Sequence, residues 1–130
     1  MDFEGPSPDE IALLRGTRDY CNLYLKGQNS NLVILSNGVE TLKIEKLFVF
    51  KFDSTRKMMS VIIRFQDKLF LLTKGADNAI AEKSINGTTE DLPAYFSECV
   101  DFYLETGLRV MFMGIKLISE NEFSQFIKEV

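Results

Sequence analysis

The sequence predicts an α+β domain, a twisted and mainly antiparallel sheet flanked by helices. Short apolar segments separated by turn-forming residues fill positions 23–73, and helical patterns stand before and after them. Hydrophobic residues make up 45% of the 130-residue chain, the ordinary balance of a globular domain. That length suits one hydrophobic core, so we expect residues 1–130 to form a single domain.

The first helix has a strong start signal in the sequence. Ser7 suits the N-cap, Pro8 suits the first helical position, and Glu10 follows the cap by three residues, as in a capping box. We expect this helix to end near Tyr20.

A run of strands is predicted to follow the first helix. Asn37-Gly38, between two apolar segments, is the strongest hairpin signal in the chain. Residues 53–56 and 66–68 are polar connections typical of tight turns. The predicted strands are 23–26, 32–35, 39–44, 46–52, 59–65 and 69–73.

The last part of the chain predicts three helices and one strand. The helices are expected at 75–85, at 93–106 with Gly107 as its C-cap, and after the capping-box pattern at 119–122. The strand is expected at 108–118. In the middle helix, the aromatic residues are predicted to face the core: Phe96, Phe102 and Tyr103.

Composition excludes several classes of function. The chain has no His, which excludes Ser–His and Cys–His nucleophiles and zinc sites built on imidazole. Cys21 and Cys99 lack the CxxC spacing of a metal or redox site and are expected to be buried thiols. A net charge of −4 argues against a surface that follows a nucleic-acid backbone. No apolar run approaches the roughly 20 residues of a membrane-spanning helix.

The segment 52–61 places an aromatic residue, two adjacent cations and a Met-rich strand start together. One interpretation is a plain hairpin with Arg56 and Lys57 as solvated charges at its tip. The other is a nucleotide site in which a partly exposed Phe52 stacks on adenine. Lys57 would then reach phosphate as a point charge. Spacing alone leaves both interpretations open.

Three further positions have the same two interpretations. Lys74-Gly75-Ala76-Asp77 connects a strand to a helix, where glycine lets a ligand or another backbone come close. Arg109 is either a solvated strand residue or a phosphate contact. Glu10 either completes the capping box or accepts a hydrogen bond from the adenine amine.

Together these segments resemble the nucleotide-binding domain of P-type ATPases, in particular the phospholipid-transporting, or flippase, branch. Residues 7–13 are similar to its Ser-Pro-Asp-Glu-x-Ala-Leu signature, and 52–61 to its Phe-x-Ser-x-Arg-Lys-x-Met-Ser-Val block. Residues 74–77 resemble its Lys-Gly-Ala-Asp block and 107–109 its Gly-Leu-Arg block. All of these segments occur in the order of the family.

The resemblance implies an ATP site made by one set of residues. Phe52 would stack on adenine, Glu10 would contact its amine, and Lys57 and Arg109 would lie nearer the phosphates. The implied ATP-binding residues are Glu10, Phe52, Ser54, Lys57, Met59, Lys74, Gly75, Ala76 and Arg109.

The rest of the set would shape the pocket itself. Lys74 would line its floor with Gly75 and Ala76, and Ser54 and Met59 would form its walls. No residue of this sequence is implied to be catalytic or to bind a metal.

In the whole enzyme, the resemblance implies transfer of the ATP γ-phosphate to an aspartate in a domain absent from this sequence. The Mg²⁺ ligands would also lie outside it. This fragment would therefore bind ATP without hydrolysing it, on the cytosolic side of a membrane.

Its partners would be ATP and the other cytosolic and membrane domains of the same chain. Phospholipid would be reached only through the membrane part, and nucleic acid is not expected as a partner. The alternatives are the equivalent domain of a cation-transporting P-type ATPase and a protein-interaction module that binds no nucleotide.

Overall fold

The computed structural model describes residues 7–84 and 94–130, with side chains described from residue 97 in the second range. The helices are Pro8–Cys21 (α1), Asp77–Glu82 (α2), Ala94–Glu105 (α3) and Glu120–Glu129 (α4). The strands are Tyr24–Gln28 (β1), Leu32–Ser36 (β2), Thr41–Asp53 (β3), Met58–Phe65 (β4), Lys68–Gly75 (β5) and Phe112–Ile118 (β6). Neighbouring strands follow the order β1-β2-β3-β4-β5-β6. The described pairings are antiparallel, so the α+β prediction is confirmed.

The chain divides into two compact units, Met1–Lys46 and Leu47–Val130. In the first, Ser7 Oγ accepts the N–H of Glu10 at 3.3 Å and so caps α1 as predicted. The turn between β2 and β3 is held by Asn37, whose side-chain oxygen accepts the N–H groups of Val39 and Glu40 at 2.9 and 2.7 Å. This is the turn that the Asn-Gly signal predicted.

Strand β3 corrects the sequence-based prediction, because the predicted strands 39–44 and 46–52 form one strand of 13 residues. Glu45 and Lys46 interrupt the hydrophobic pattern, but the backbone continues through them in strand geometry. Glu45 is paired with Leu32, and the N–H of Lys46 donates to the carbonyl oxygen of Asn31 at 2.8 Å. Backbone pairing therefore carries the strand across two polar side chains.

In the second unit, α2 packs on β5 and β6. Ile80 of α2 is buried, and its Cγ2 lies 3.7 Å from the position of a Cβ on Gly114. The same face of the sheet carries the hydroxyl groups of Ser60 and Thr73, which are 2.8 Å apart. We call it the α2-covered face.

Within the second unit, helix α4 packs against β3 and β4 through aromatic and ionic contacts. Phe126 packs on Phe48 and Phe50 of β3, with ring centroids 5.1 and 5.3 Å apart. The carboxylate of Glu120, at the start of α4, accepts hydrogen bonds from the Arg64 guanidinium. This arginine holds the pKa of Glu120 below its ordinary value.

The start of α4 also has the predicted capping box, which is complete in the structure. Ser119 Oγ accepts the N–H of Glu122, and the Glu122 carboxylate accepts the N–H of Ser119 at 2.8 Å. The sequence pattern therefore predicted the beginning of this helix correctly.

Helix α3 and its connection to β6 differ from the prediction. Phe102 is 61% exposed, and it packs edge-on against the exposed ring of Tyr103 rather than in the core. The side chain of Phe96 lies outside the described residues. The strand expected from residue 108 begins at Phe112, because the N–H of Leu108 donates to the carbonyl oxygen of Tyr103 and closes the helix end. Gly107 is the left-handed residue of that closure, as predicted.

The two thiols also correct an expectation. Cys21 and Cys99 are free and exposed, whereas the sequence predicted that both would be buried. Each lies on a helix, and burial of a helical residue depends on which face of the helix is covered. Among the described residues, no helix combines the length and hydrophobicity needed to cross a bilayer.

Candidate functional site

A groove of about 440 Å³ lies on the face of β4, β5 and β6 opposite to the α2-covered face. Strand register produces it, because Met59 is paired with Lys74, and Lys74 is paired with Met113 on the other side. The next row across the same strands is Val61, Leu72 and Ile115. The groove is lined by Met59, Val61, Leu72, Thr73, Lys74, Met113, Gly114 and Ile115.

The side chains that line the groove on this face are apolar except for that of Lys74. Met113 and Ile115 are exposed, so the groove is open to solvent along β6. An open apolar surface beside one ammonium group suits a ligand that has a flat ring and a negative charge.

The hairpin between β3 and β4 lies next to this groove along the chain, and Asp53 organises it. The carbonyl oxygen of Asp53 accepts the N–H of Lys57 at 2.7 Å. Its carboxylate accepts the N–H groups of Thr55 and Arg56 at 2.6 and 3.2 Å. These hydrogen bonds stabilise the charged carboxylate and lower the pKa of Asp53.

Lys57 closes the hairpin in the left-handed region, with φ of 59°. Its carbonyl oxygen accepts the N–H of Ala76 at 3.1 Å. A Cβ on Gly75 would lie 2.3 Å from that same oxygen and 2.8 Å from the Cα of Met58. The tip of the hairpin therefore rests on the end of β5, and glycine leaves the space for it.

The two adjacent cations of the hairpin have different surroundings. The Arg56 guanidinium donates from Nη2 to the carbonyl oxygens of Lys51 and Met58, at 3.1 and 3.3 Å. It also lies 6.0 Å from the centroid of the Phe50 ring. Arg56 thus ties the end of β3 to the start of β4, and Lys57 is the cation at the contact with β5.

The structure brings several of the predicted site residues together. Met59 and Lys74 line the groove, and Lys57, Gly75 and Ala76 form the contact at its end. Lys57 comes two residues before Met59 and Gly75 directly follows Lys74, so the contact lies at the strand ends next to the groove residues.

Phe52 and Ser54 belong to the hairpin and are exposed. Phe52 is 66% exposed near the end of β3, as a ring available to a ligand would be. Its contact with adenine stays a prediction, as does the role of Ser54.

Arg109 and Glu10 complete the predicted set. Arg109 is exposed in the segment before β6, three residues before Phe112, which is paired with Gly75. It therefore enters the sheet at the end where the hairpin rests. Glu10 belongs to the first unit, where it is half-buried on the first turn of α1. The roles of both toward ATP stay predictions.

The sequence-based set left out most of the apolar lining of the groove. The missed residues are Val61, Leu72, Met113 and Ile115. Their alternation along the predicted strands places them on one face, and this signal could have identified them. Among the described residues, no group of three or more acidic or Cys side chains is placed to hold a metal ion.

Comparison with known proteins gives a family for this chain. Residues 6–130 match the model of the P-type ATPase cytoplasmic domain N. Phospholipid-transporting ATPase 10 of Arabidopsis thaliana is 36% identical over 98% of the chain. Phospholipid-transporting ATPase tat-1 of Caenorhabditis elegans is 34% identical over 98%, and phospholipid-transporting ATPase DRS2 of Saccharomyces cerevisiae is 33% identical over 97%. The chain spans only 11%, 11% and 9% of the length of these relatives. It belongs to the family of the cytoplasmic N domain of P-type ATPases.

Proposed function

We propose that this chain binds ATP as the nucleotide-binding domain of a phospholipid-transporting P-type ATPase. One observation carries the proposal: an open apolar groove contains Lys74, and the hairpin tip that carries Lys57 contacts Ala76, two residues after Lys74. Adenine requires an apolar surface and the triphosphate requires cations, and both occur here side by side. The names of the relatives favour the lipid-transporting branch over a cation pump.

In the proposed complex, adenine lies in the groove against Met59 and Lys74, and the exposed ring of Phe52 stacks on it. The ammonium of Lys57 reaches the phosphates from the hairpin tip. Supporting contacts are assigned to Ser54, Gly75, Ala76 and Arg109.

The affinity expected for such a site is low. One stacked ring and two or three hydrogen bonds contribute about 4–5 kcal/mol in total, which corresponds to a Kd on the order of 0.1–1 mM.

In the whole enzyme, this domain would present the γ-phosphate to an aspartate of another domain, where Mg²⁺ would neutralise charge on the transferred phosphoryl group. The chain itself would hold and orient ATP without hydrolysing it. Lipid transport and attachment to a membrane would belong to the rest of the protein.

A titration of the ¹⁵N-labelled chain with ATP tests the proposal. We expect amide shifts at Met59, Lys74 and Ala76 that saturate in the millimolar range and persist in EDTA. Unchanged shifts at millimolar ATP would favour the interaction module that binds no nucleotide. Phosphate release that survives repurification, and is lost on mutation of a residue of the groove, would contradict the absence of hydrolysis.

A further inference from the structure

We propose that Gly75 is a positioning residue, which fixes Lys57 so that its ammonium reaches the phosphates of the bound nucleotide. This inference rests on the ATP site proposed above and goes beyond it. The family resemblance implies that Gly75 lines the floor of the pocket, whereas the geometry gives it a role that is exerted through another residue.

The backbone of the hairpin tip fills the space beside Gly75. A methyl group there would lie 2.3 Å from the Lys57 carbonyl oxygen and 2.8 Å from both the Cα and Cβ of Met58. Because two of these three atoms are backbone, rotating a side chain cannot relieve the overlap. The hairpin tip would have to move away from β5.

Gly75 is required for this space rather than for its own conformation. The φ of Gly75 lies outside the left-handed region. Among the described glycines, Gly38 and Gly107 are the ones that adopt a left-handed φ. An alanine would therefore be tolerated at Gly75 if the hairpin tip did not rest on it.

Movement of the hairpin tip would displace Lys57 in particular. Its N–H donates to the Asp53 carbonyl oxygen at 2.7 Å, and its carbonyl oxygen accepts the Ala76 N–H at 3.1 Å. Both backbone groups of Lys57 are thus engaged, and its φ of 59° is set by that arrangement. The direction of the side chain follows from the backbone, so displacing the backbone redirects the ammonium.

Gly27 offers a matched control. It lies on β1, paired with Ile34 of β2, and its φ also lies outside the left-handed region. Among the described residues, no atom lies within 4 Å of a Cβ placed there. Gly27→Ala therefore makes the same chemical change in a strand, at a position outside the hairpin and outside the groove lining.

The test compares affinities for ATP and adenosine in the 130-residue chain, because their ratio isolates the contribution of the phosphates. We expect Gly75→Ala to lower this ratio about fivefold, roughly 1 kcal/mol, with little change in the affinity for adenosine. Gly27→Ala should leave the ratio unchanged. In a Lys57→Gln background, Gly75→Ala should lower the ratio no further, since the ammonium is already absent.

Several outcomes would overturn the inference. Equal effects of Gly75→Ala and Gly27→Ala, or a full additional loss in the Lys57→Gln background, would show that Gly75 does not act through Lys57. If the unaltered chain bound ATP and adenosine equally, the inference would fail while the nucleotide site remained. If it bound neither, the proposed function itself would fail.

A measurement on the unaltered chain decides the question if Gly75→Ala does not fold. A phosphate held by Lys57 should stabilise its contact with Ala76, so ATP should slow hydrogen exchange of the Ala76 amide more than saturating adenosine does. Equal protection by the two ligands would overturn the proposal.

Discussion

Met59 and Lys74 stand directly opposite each other across β4 and β5, and Met113 stands opposite Lys74 on β6. This row sets one ammonium-bearing side chain between two thioethers in the lining of the apolar groove. Methionine side chains adapt to flat aromatic surfaces and contact them favourably. The row therefore supplies both apolar contact and positive charge to a ligand bound over it.

Replacement of Lys74 by Met should weaken ATP binding about 5- to 10-fold, which is roughly 1–1.4 kcal/mol. The apolar stem is kept while the ammonium is lost, so the domain should remain folded. Lys68→Met is a matched control, because Lys68 lies on the same strand and the same face, at the opposite end of β5. Calorimetric titration of both variants measures the difference. Equal ATP affinities would remove Lys74 from the site.

The Asp53 carboxylate should titrate below its ordinary pKa, because it accepts the N–H groups of Thr55 and Arg56 in the folded hairpin. Because its pKa is lowered by folding, the Asp53 carboxylate stabilises the fold fully at pH values above the pKa that Asp53 has in the unfolded chain. That stabilisation is lost as the pH falls through the lowered folded value. Carboxyl ¹³C shifts of Asp53, recorded against pH in the folded and the urea-unfolded chain, measure it. Coincident titrations would contradict the hydrogen-bonded hairpin.

The sequence predicted the elements that local chemistry specifies. The cap at Ser7, the turn at Asn37 and the capping box at Ser119 each depend on residues within four positions of one another, and all were confirmed. The predicted extent of β3 was wrong. Glu45 is polar, but it belongs to the strand because it is paired with Leu32 of the neighbouring strand.

The site could be predicted only in part for a related reason. Sequence indicated that glycine at position 75 lets a ligand or a backbone come close, and the structure shows that the Lys57 backbone does so. Arg56 and Lys57 are adjacent cations in the sequence. In the folded hairpin, the Arg56 guanidinium donates hydrogen bonds to backbone carbonyl oxygens. The amphipathic pattern of α3 could not specify which face is covered, and Phe102 is exposed.

Lys57→Gly should weaken ATP binding without lowering the stability of the fold. Lys57 has a φ of 59°, a conformation that costs an L-residue roughly 1–2 kcal/mol and glycine little. Glycine loses about 0.5–1 kcal/mol through its greater freedom in the unfolded chain, so stability should be unchanged or rise by about 1 kcal/mol. ATP affinity should fall, because the ammonium is lost. Lys57→Ala is the control, with the same loss of binding but no relief of strain. Thermal melting and calorimetry measure both properties, and retained ATP affinity in both variants would exclude Lys57 as a phosphate contact.

Phe52→Ala gives the sharpest test of the site. Loss of a stacked ring should remove about 1–3 kcal/mol of binding and weaken ATP about 5- to 150-fold. Since Phe52 is 66% exposed, the variant should stay folded, whereas truncation of a core Phe would cost about 3–5 kcal/mol of stability. Phe102→Ala is the matched control, because Phe102 is 61% exposed on α3 and has no predicted role in binding. It should leave ATP affinity unchanged. Calorimetric titration beside thermal melting distinguishes the cases, and wild-type ATP affinity in a folded Phe52→Ala protein would refute stacking on adenine.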